Sequence, residues 1–186
     1  MTQRTFLGID FGTSNVAVGE ITHFTGNDKT YRKSHFIKFD PAIDPYDIHH
    51  EIDKFIDDIV LADGYQYLKG DYYAFIESVI KGPNARTFQR MTRVGHSVNI
   101  ALADWGVRVE YLDNNTWRKE LFGKGNTKKE VAQDWAYDNY PELLEYLKGQ
   151  RGHRADALMI AEAGKSLVES RIEETVSRPG RSKEHR

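Results

Sequence analysis

The sequence predicts an α/β layer fold in which a five-stranded mixed sheet is flanked by helices. Two observations lead there. Three extended segments stand in a row at the N-terminal end, and after them helical and extended periodicities alternate before the chain turns wholly helical. An order of three strands, helix, strand, helix, strand and then helices places a hairpin first and crossovers after it.

Thr5 to Phe11 is a short apolar run ending in Asp-Phe-Gly-Thr, a buried strand entering a turn. Val16, Val18 and Glu20-Ile21 fit a second strand, reached through the turn from Gly12 to Asn15. Ser34 to Phe39 alternates as a third. Ile48, Ile52, Phe55, Ile56, Ile59 and Val60 recur at helical spacing, and Gly64 stops that helix. Tyr72 to Val79 is β-branched and aromatic, a fourth strand with Glu77 in its middle. Phe88, Met91, Gly95, Val98, Leu102 and Trp105 stripe a second helix that closes near Gly106, with Arg86, Arg90 and Arg93 together on one exposed face. Val107 to Leu112 is the fifth strand. A short helix around Trp117 to Phe122, a glycine turn, a helix from about Lys128 and a short piece opened by Pro141 follow. His153 to Glu169 is the last helix, and its Ala155, Ala157, Ala161, Ala163 and Gly164 suit close contact with a sheet. One domain over 1–169 is expected, then a charged, flexible tail over 170–186.

Composition narrows the function classes. At 186 residues, 39% hydrophobic and 12% aromatic, the chain can bury a sizeable core. No cysteine is present, which removes disulfides, thiolate zinc sites and cysteine nucleophiles. No run approaches a membrane span and the N-terminus has no signal-peptide pattern, so no membrane partner and a cytoplasmic, nucleoid-associated or equivalent intracellular home are expected. The net charge of -2 is unevenly spread. The stretch from Asp40 to Glu77 is strongly acidic. Lys81, Arg86, Arg90 and Arg93 then follow with no acid among them, and Arg118, Lys119, Lys124, Lys128 and Lys129 stand against Glu120 alone. Each basic cluster can be a solvated helix face, yet two of them flanking acidic candidates point to a phosphate-facing surface.

Three acids stand where apolar packing is expected: Asp10 at a strand end, Glu77 in an apolar strand, and Asp156 near the start of an alanine-rich helix. His153 shares one helix face with Asp156. Carboxylates drawn from separate parts of a fold are what two magnesium ions about 4 Å apart require for phosphodiester hydrolysis, and an imidazole beside them can bind metal or carry a proton. Each has an ordinary alternative: Asp10 as a turn cap, Glu77 as an arginine partner, His153 and Asp156 as helix caps.

The segments LGIDFGTSNVAVGEI, FIESV and HRADALMIAEAG resemble the RuvC-type Holliday-junction resolvases, from about Phe6 to Gly164. EYLDNNTWRKELFGKGNTKKEVAQ is similar to that family's stretch before its last helix. The resemblance implies a ribonuclease H-like fold and an endonuclease that resolves four-way DNA junctions by paired cuts, leaving 5′-phosphates and 3′-hydroxyls. It implies two Mg²⁺ ions per site, with Mn²⁺ able to substitute, on Asp10, Glu77, Asp156 and, where members carry aspartate or histidine, His153. Arg118 and Lys129 fall on the family's basic positions, with Lys119, Lys124 and Lys128 beside them; Lys81 and Arg86 join the expected DNA contacts. Many members carry a stacking aromatic three residues after the glutamate, where this chain has Ile80. A homodimer through the second helix is implied, with branch-migration proteins as further possible partners. Two other readings stay open: a broader branched-DNA nuclease, and an actin-like ATPase, whose phosphate hairpin GIDFGTSN resembles but whose second domain and second glycine-rich motif this chain lacks.

Overall fold

A computed structural model describes residues 3–26, 28–40, 42–62, 71–78, 84–144 and 151–177. Gly64, Val79, Ile80, Lys81 and the segment 178–186 lie outside the described residues. Eleven elements run in the order β1 (Gln3–Phe11), β2 (Asn15–Phe24), β3 (Lys29–Lys38), α1 (Pro45–Ala62), β4 (Asp71–Glu77), α2 (Ala85–Asp104), β5 (Arg108–Leu112), α3 (Asn114–Phe122), α4 (Lys129–Asn139), α5 (Pro141–Leu144) and α6 (Arg151–Ser177). The sheet order is β3-β2-β1-β4-β5. β1 to β3 form an antiparallel meander, while β4 and β5 add in parallel beside β1. This is the expected five-stranded mixed sheet.

Alternation along the strands sends side chains to two cores. Leu7, Ile9, Phe11, Val16 and Val18 pack with Ile52, Ile56, Val94, Val98 and Leu102 of α1 and α2 on one face. Phe6, Ile21 and Phe75 pack with Trp117, Ala132, Leu158 and Ala161 on the other, under α3, α4 and α6. The approach of α6 depends on two paired sheet glycines. A Cβ at Gly8 would fall 2.2 Å from the Ala157 carbonyl oxygen and the Ala161 nitrogen, and one at Gly19 would fall 2.6 Å from Leu158 Cα. The small residues expected to bring α6 close are thus matched by absent side chains on the sheet.

Several expected boundaries move, each for a visible reason. β3 begins at Lys29 because it pairs with the whole length of β2 as an edge strand. Glu77 is the last residue of β4, so its carboxylate leaves from a strand end and not from mid-strand. α3 starts at Asn114 because the Asp113 carboxylate accepts from the Asn115 and Thr116 amides, both at 2.9 Å. α6 continues to Ser177, past the expected end at Glu169, so residues 170–177 of the expected tail are helical. Val168 is buried and Arg171 donates to both Glu110 oxygens, at 2.6 and 3.0 Å, which ties that extension to β5.

Candidate active site

β1 and β4 run in parallel, so Asp10 and Glu77 both sit at the carboxyl end of the sheet, the end at which open α/β sheets place ligands. α6 brings its first turns to the same place. Asp10 and Asp156 are each only 6% exposed. His153 Nδ1 lies 2.5 Å from Asp10 Oδ2, and Lys129 Nζ lies 3.0 Å from Asp156 Oδ2. Trp117 Nε1 donates a long hydrogen bond of 3.4 Å to Glu77 Oε1. The four candidates from the sequence therefore meet in one place, drawn from β1, β4 and α6.

The electrostatics report how close that meeting is. Burial, and then the negative charges of Asp10 and Asp156, push the Glu77 carboxyl up to about 7, against a partial offset from the Trp117 hydrogen bond. Burial and Asp10 also raise Asp156, opposed by Lys129 and Arg118. The hydrogen bond that His153 donates to the Asp10 carboxylate raises the imidazole despite the opposing effect of burial. For Lys129, burial pulls down but the attraction of Asp156, Asp10 and Glu77 outweighs it, and the ammonium is raised. The Asp10 charge thus weighs on both Glu77 and Asp156, and Lys129 and Arg118 offset part of it at Asp156.

The donor chemistry fits a hard divalent cation. Three carboxylates converge, and Asp156 Oδ1 is buried with no hydrogen-bond partner. As the side chains lie, no three acid or histidine groups among the described residues close into a cation site. His153 and Lys129 instead each hold an oxygen of the acid they touch.

The basic candidates divide by position. Arg118 is half-buried with its guanidinium over the Trp117 ring, 5.0 Å from the centroid, and it faces Asp156 electrostatically. Lys119, Lys124, Lys128 and Lys129 are exposed along α3, the glycine turn and the start of α4. Arg86 is exposed on α2, whereas Lys81 lies outside the described residues. Arg90 does not share the exposed arginine face as expected. It is half-buried and donates from Nε to the Thr13 carbonyl at 2.7 Å and from Nη2 to the Asp40 carbonyl at 3.3 Å. It thereby holds the turn that follows Asp10.

Three neighbours of the site were not singled out from the sequence. Trp117 reads as a core aromatic, and it is one, with its indole N–H aimed at Glu77. Arg90 reads as one of three surface arginines. Arg154, between the two α6 candidates, lies over the Phe36 ring and donates to the Ser34 carbonyl at 3.0 Å. Phe36 pairs across Ala17 with Asp10 in the sheet register. Only the helical spacing beside Asp156 hinted at that last placement.

No protein-family model matches the chain, and no curated protein matches it. Among solved structures it is similar to Thermus thermophilus RuvC, with a TM-score of 0.68 and 18% identity, covering 89% of this chain and 96% of that one. A structure of T. thermophilus RuvC in complex with Holliday junction substrate is similar at a TM-score of 0.68 and 16% identity, with the same coverage of 89% and 96%. The yeast mitochondrial Holliday junction resolvase Ydc2 follows at a TM-score of 0.57 and 11% identity, covering 92% of this chain and 83% of that one. With its sheet order and its helices on both faces, the chain has the ribonuclease H-like fold in the form that RuvC and Ydc2 take.

Proposed function

We propose that the chain is a RuvC-type Holliday-junction resolvase, a homodimeric endodeoxyribonuclease that cuts four-way DNA junctions in paired fashion with Mg²⁺. The observation that carries this reading is the convergence of Asp10, Glu77 and Asp156 at the carboxyl end of the sheet, so close that the charge of Asp10 raises the affinity of both Glu77 and Asp156 for a proton. Shared fold with a RuvC structure in complex with Holliday junction substrate and with a structure described as a Holliday junction resolvase supports the substrate class.

Asp10, Glu77 and Asp156, with His153 beside them, would hold the cations, two per site and replaceable by Mn²⁺. When bound, such ions supply charge neutralisation at the phosphate and activation of a water nucleophile. The chain's own groups do the rest. His153, with its side chain 41% exposed and one ring nitrogen on Asp10, can pass a proton between the site and solvent. Lys129 and Arg118 place positive charge beside Asp156, where a backbone phosphate would lie. Lys119, Lys124 and Lys128 extend that charge along the strand being cut. Water adds to phosphorus, the bond to the 3′ oxygen breaks, and the products are a 5′-phosphate and a 3′-hydroxyl.

The test is incubation of purified protein with labelled four-way junction, flap, fork and plain duplex, with Mg²⁺ and without. Paired symmetric nicks in the junction, dependent on the metal, are expected. Equal cutting of flaps would reduce the assignment to a general branched-DNA nuclease. Asp10→Asn should abolish cutting and leave junction binding near the parent level; cutting at the parent rate would overturn the site.

A further inference from the structure

The α2 side of the catalytic end holds a feature that the cleavage site does not use. Arg86, Arg90 and Arg93 recur at four- and three-residue spacing and line one hollow with Gln89, Ile43 and Ile48. Its volume of about 310 Å³ is about ten times the roughly 30 Å³ share of a liquid water, room enough for a phosphodiester group. Among the described residues no acidic side chain lines it. Among the described residues Arg86 and Arg93 make no hydrogen bond or ion pair, although the acidic α1 packs beside them. Arg90 lies between them in sequence, and its donation to the Thr13 carbonyl joins the hollow to the turn after Asp10.

Topology puts this hollow in register with the site. α2 follows β4, so its first turns sit at the same sheet end as Asp10 and Glu77. α1 and α2 cover one face of the sheet, and the Arg118 to Lys129 segment belongs to the other. A strand crossing the sheet end would meet one basic group on each side of the carboxylates. We propose that Arg86 and Arg93, with Arg90 at the floor, form a second backbone-phosphate site that grips the DNA on the flank away from α3 and α4. The inference rests on the junction-cutting reading and adds a contact to it. Guanidinium pairs suit phosphate because their donors are planar and forked.

The test uses full-length protein carrying Asp10→Asn, so that the junction survives, and measures binding to a four-way junction across a salt series. Each lost phosphate contact lowers the slope of log affinity against log salt by about 0.9. Arg86→Gln/Arg93→Gln removes the one phosphate the two guanidinium groups share and should therefore reduce it by about 0.9, and neither residue has a hydrogen bond or ion pair among the described residues whose loss would unfold the chain. A neutral methylphosphonate placed singly at phosphates flanking the cut should weaken binding at one position in the parent and not in the double variant. An unchanged slope with no such position overturns the pocket alone. Absence of junction binding by the parent overturns the cleavage reading with it. A double variant that keeps its salt slope but loses self-association would assign the hollow to an interface between copies and overturn the proposal.

Discussion

Glu77 sits where ionisation is penalised from two directions, by burial and by Asp10. Its carboxyl therefore keeps its proton up to about 7, above the ordinary 4.5. Between those two values the folded chain binds more protons than the unfolded chain, so this group's contribution to stability falls as pH rises from about 4.5 to about 7. His153 is raised as well, and its contribution is complete below 6.5 and lost as pH climbs through the higher folded value. In chelator, the urea midpoint of Glu77→Gln relative to the parent should rise between pH 5 and pH 8; a constant difference would mean that Glu77 is not strained. Added Mg²⁺ should stabilise the parent more at pH 8 than at pH 5, because ions must displace protons from the acids, and should do little for Asp10→Asn. The two kinds of lysine separate at this scale too. Lys124→Ala removes an exposed charge and should weaken junction binding several-fold with cutting of bound DNA preserved. Lys129→Ala also strips Asp156 of its 3.0 Å partner, so cutting of bound DNA should fall by tenfold or more in single-turnover assays. Equal behaviour of the two variants would remove Lys129 from the site.

Among the elements, α6 bears most on the site, because its first turns carry His153 and Asp156 while its middle rests on the sheet glycines. The clash at Gly8 would be with helix backbone, which cannot rotate out of the way. Gly8→Ala should cost on the order of 1–3 kcal/mol in urea unfolding, as overpacking does, and should lower the cutting rate by moving α6 against Asp10. Full activity with a parent-like unfolding midpoint would show that α6 has slack. Much of this was legible beforehand. Apolar runs and helical stripes read out the element order; Asp10, Glu77 and Asp156 stood out because each breaks an apolar or small-residue pattern, and His153 because it shares a helix face with Asp156. What stayed hidden depends on partners distant in sequence. β3 extends to Lys29 because β2 offers it a full edge, α6 reaches Ser177 because β5 supplies Glu110, and Gly8 and Gly19 read as ordinary strand residues until the helix above them is known. The role of Arg90 was hidden for the same reason, since its acceptors Thr13 and Asp40 belong to two other segments.

For the whole molecule, the proposed substrate sets the symmetry. A four-way junction has two-fold character, so paired cuts call for two identical sites held in fixed relation, which a two-fold dimer supplies. α2 is the element that the resemblance in sequence assigns to the contact, and its surface is divided in a way that permits one. Val94, Val98, Ala101 and Leu102 face the core, Arg86 and Arg93 face the hollow, and Phe88, Thr92, His96 and Ala103 form a separate exposed stripe without acid, lysine or arginine. Two such stripes crossing about a two-fold axis would bring each residue near its own counterpart. A charge introduced there is repelled by its copy, whereas a charge on the arginine face is not. His96→Glu should therefore shift sedimentation from a dimer toward the 21.4 kDa single chain. The same variant should turn paired cutting into independent single nicks, with the rate of each nick much less affected. Because His96 touches none of the catalytic groups, a dimer that persists with paired cuts would move the contact away from this stripe. Loss of all cutting in a folded monomer would show that each site needs its neighbour.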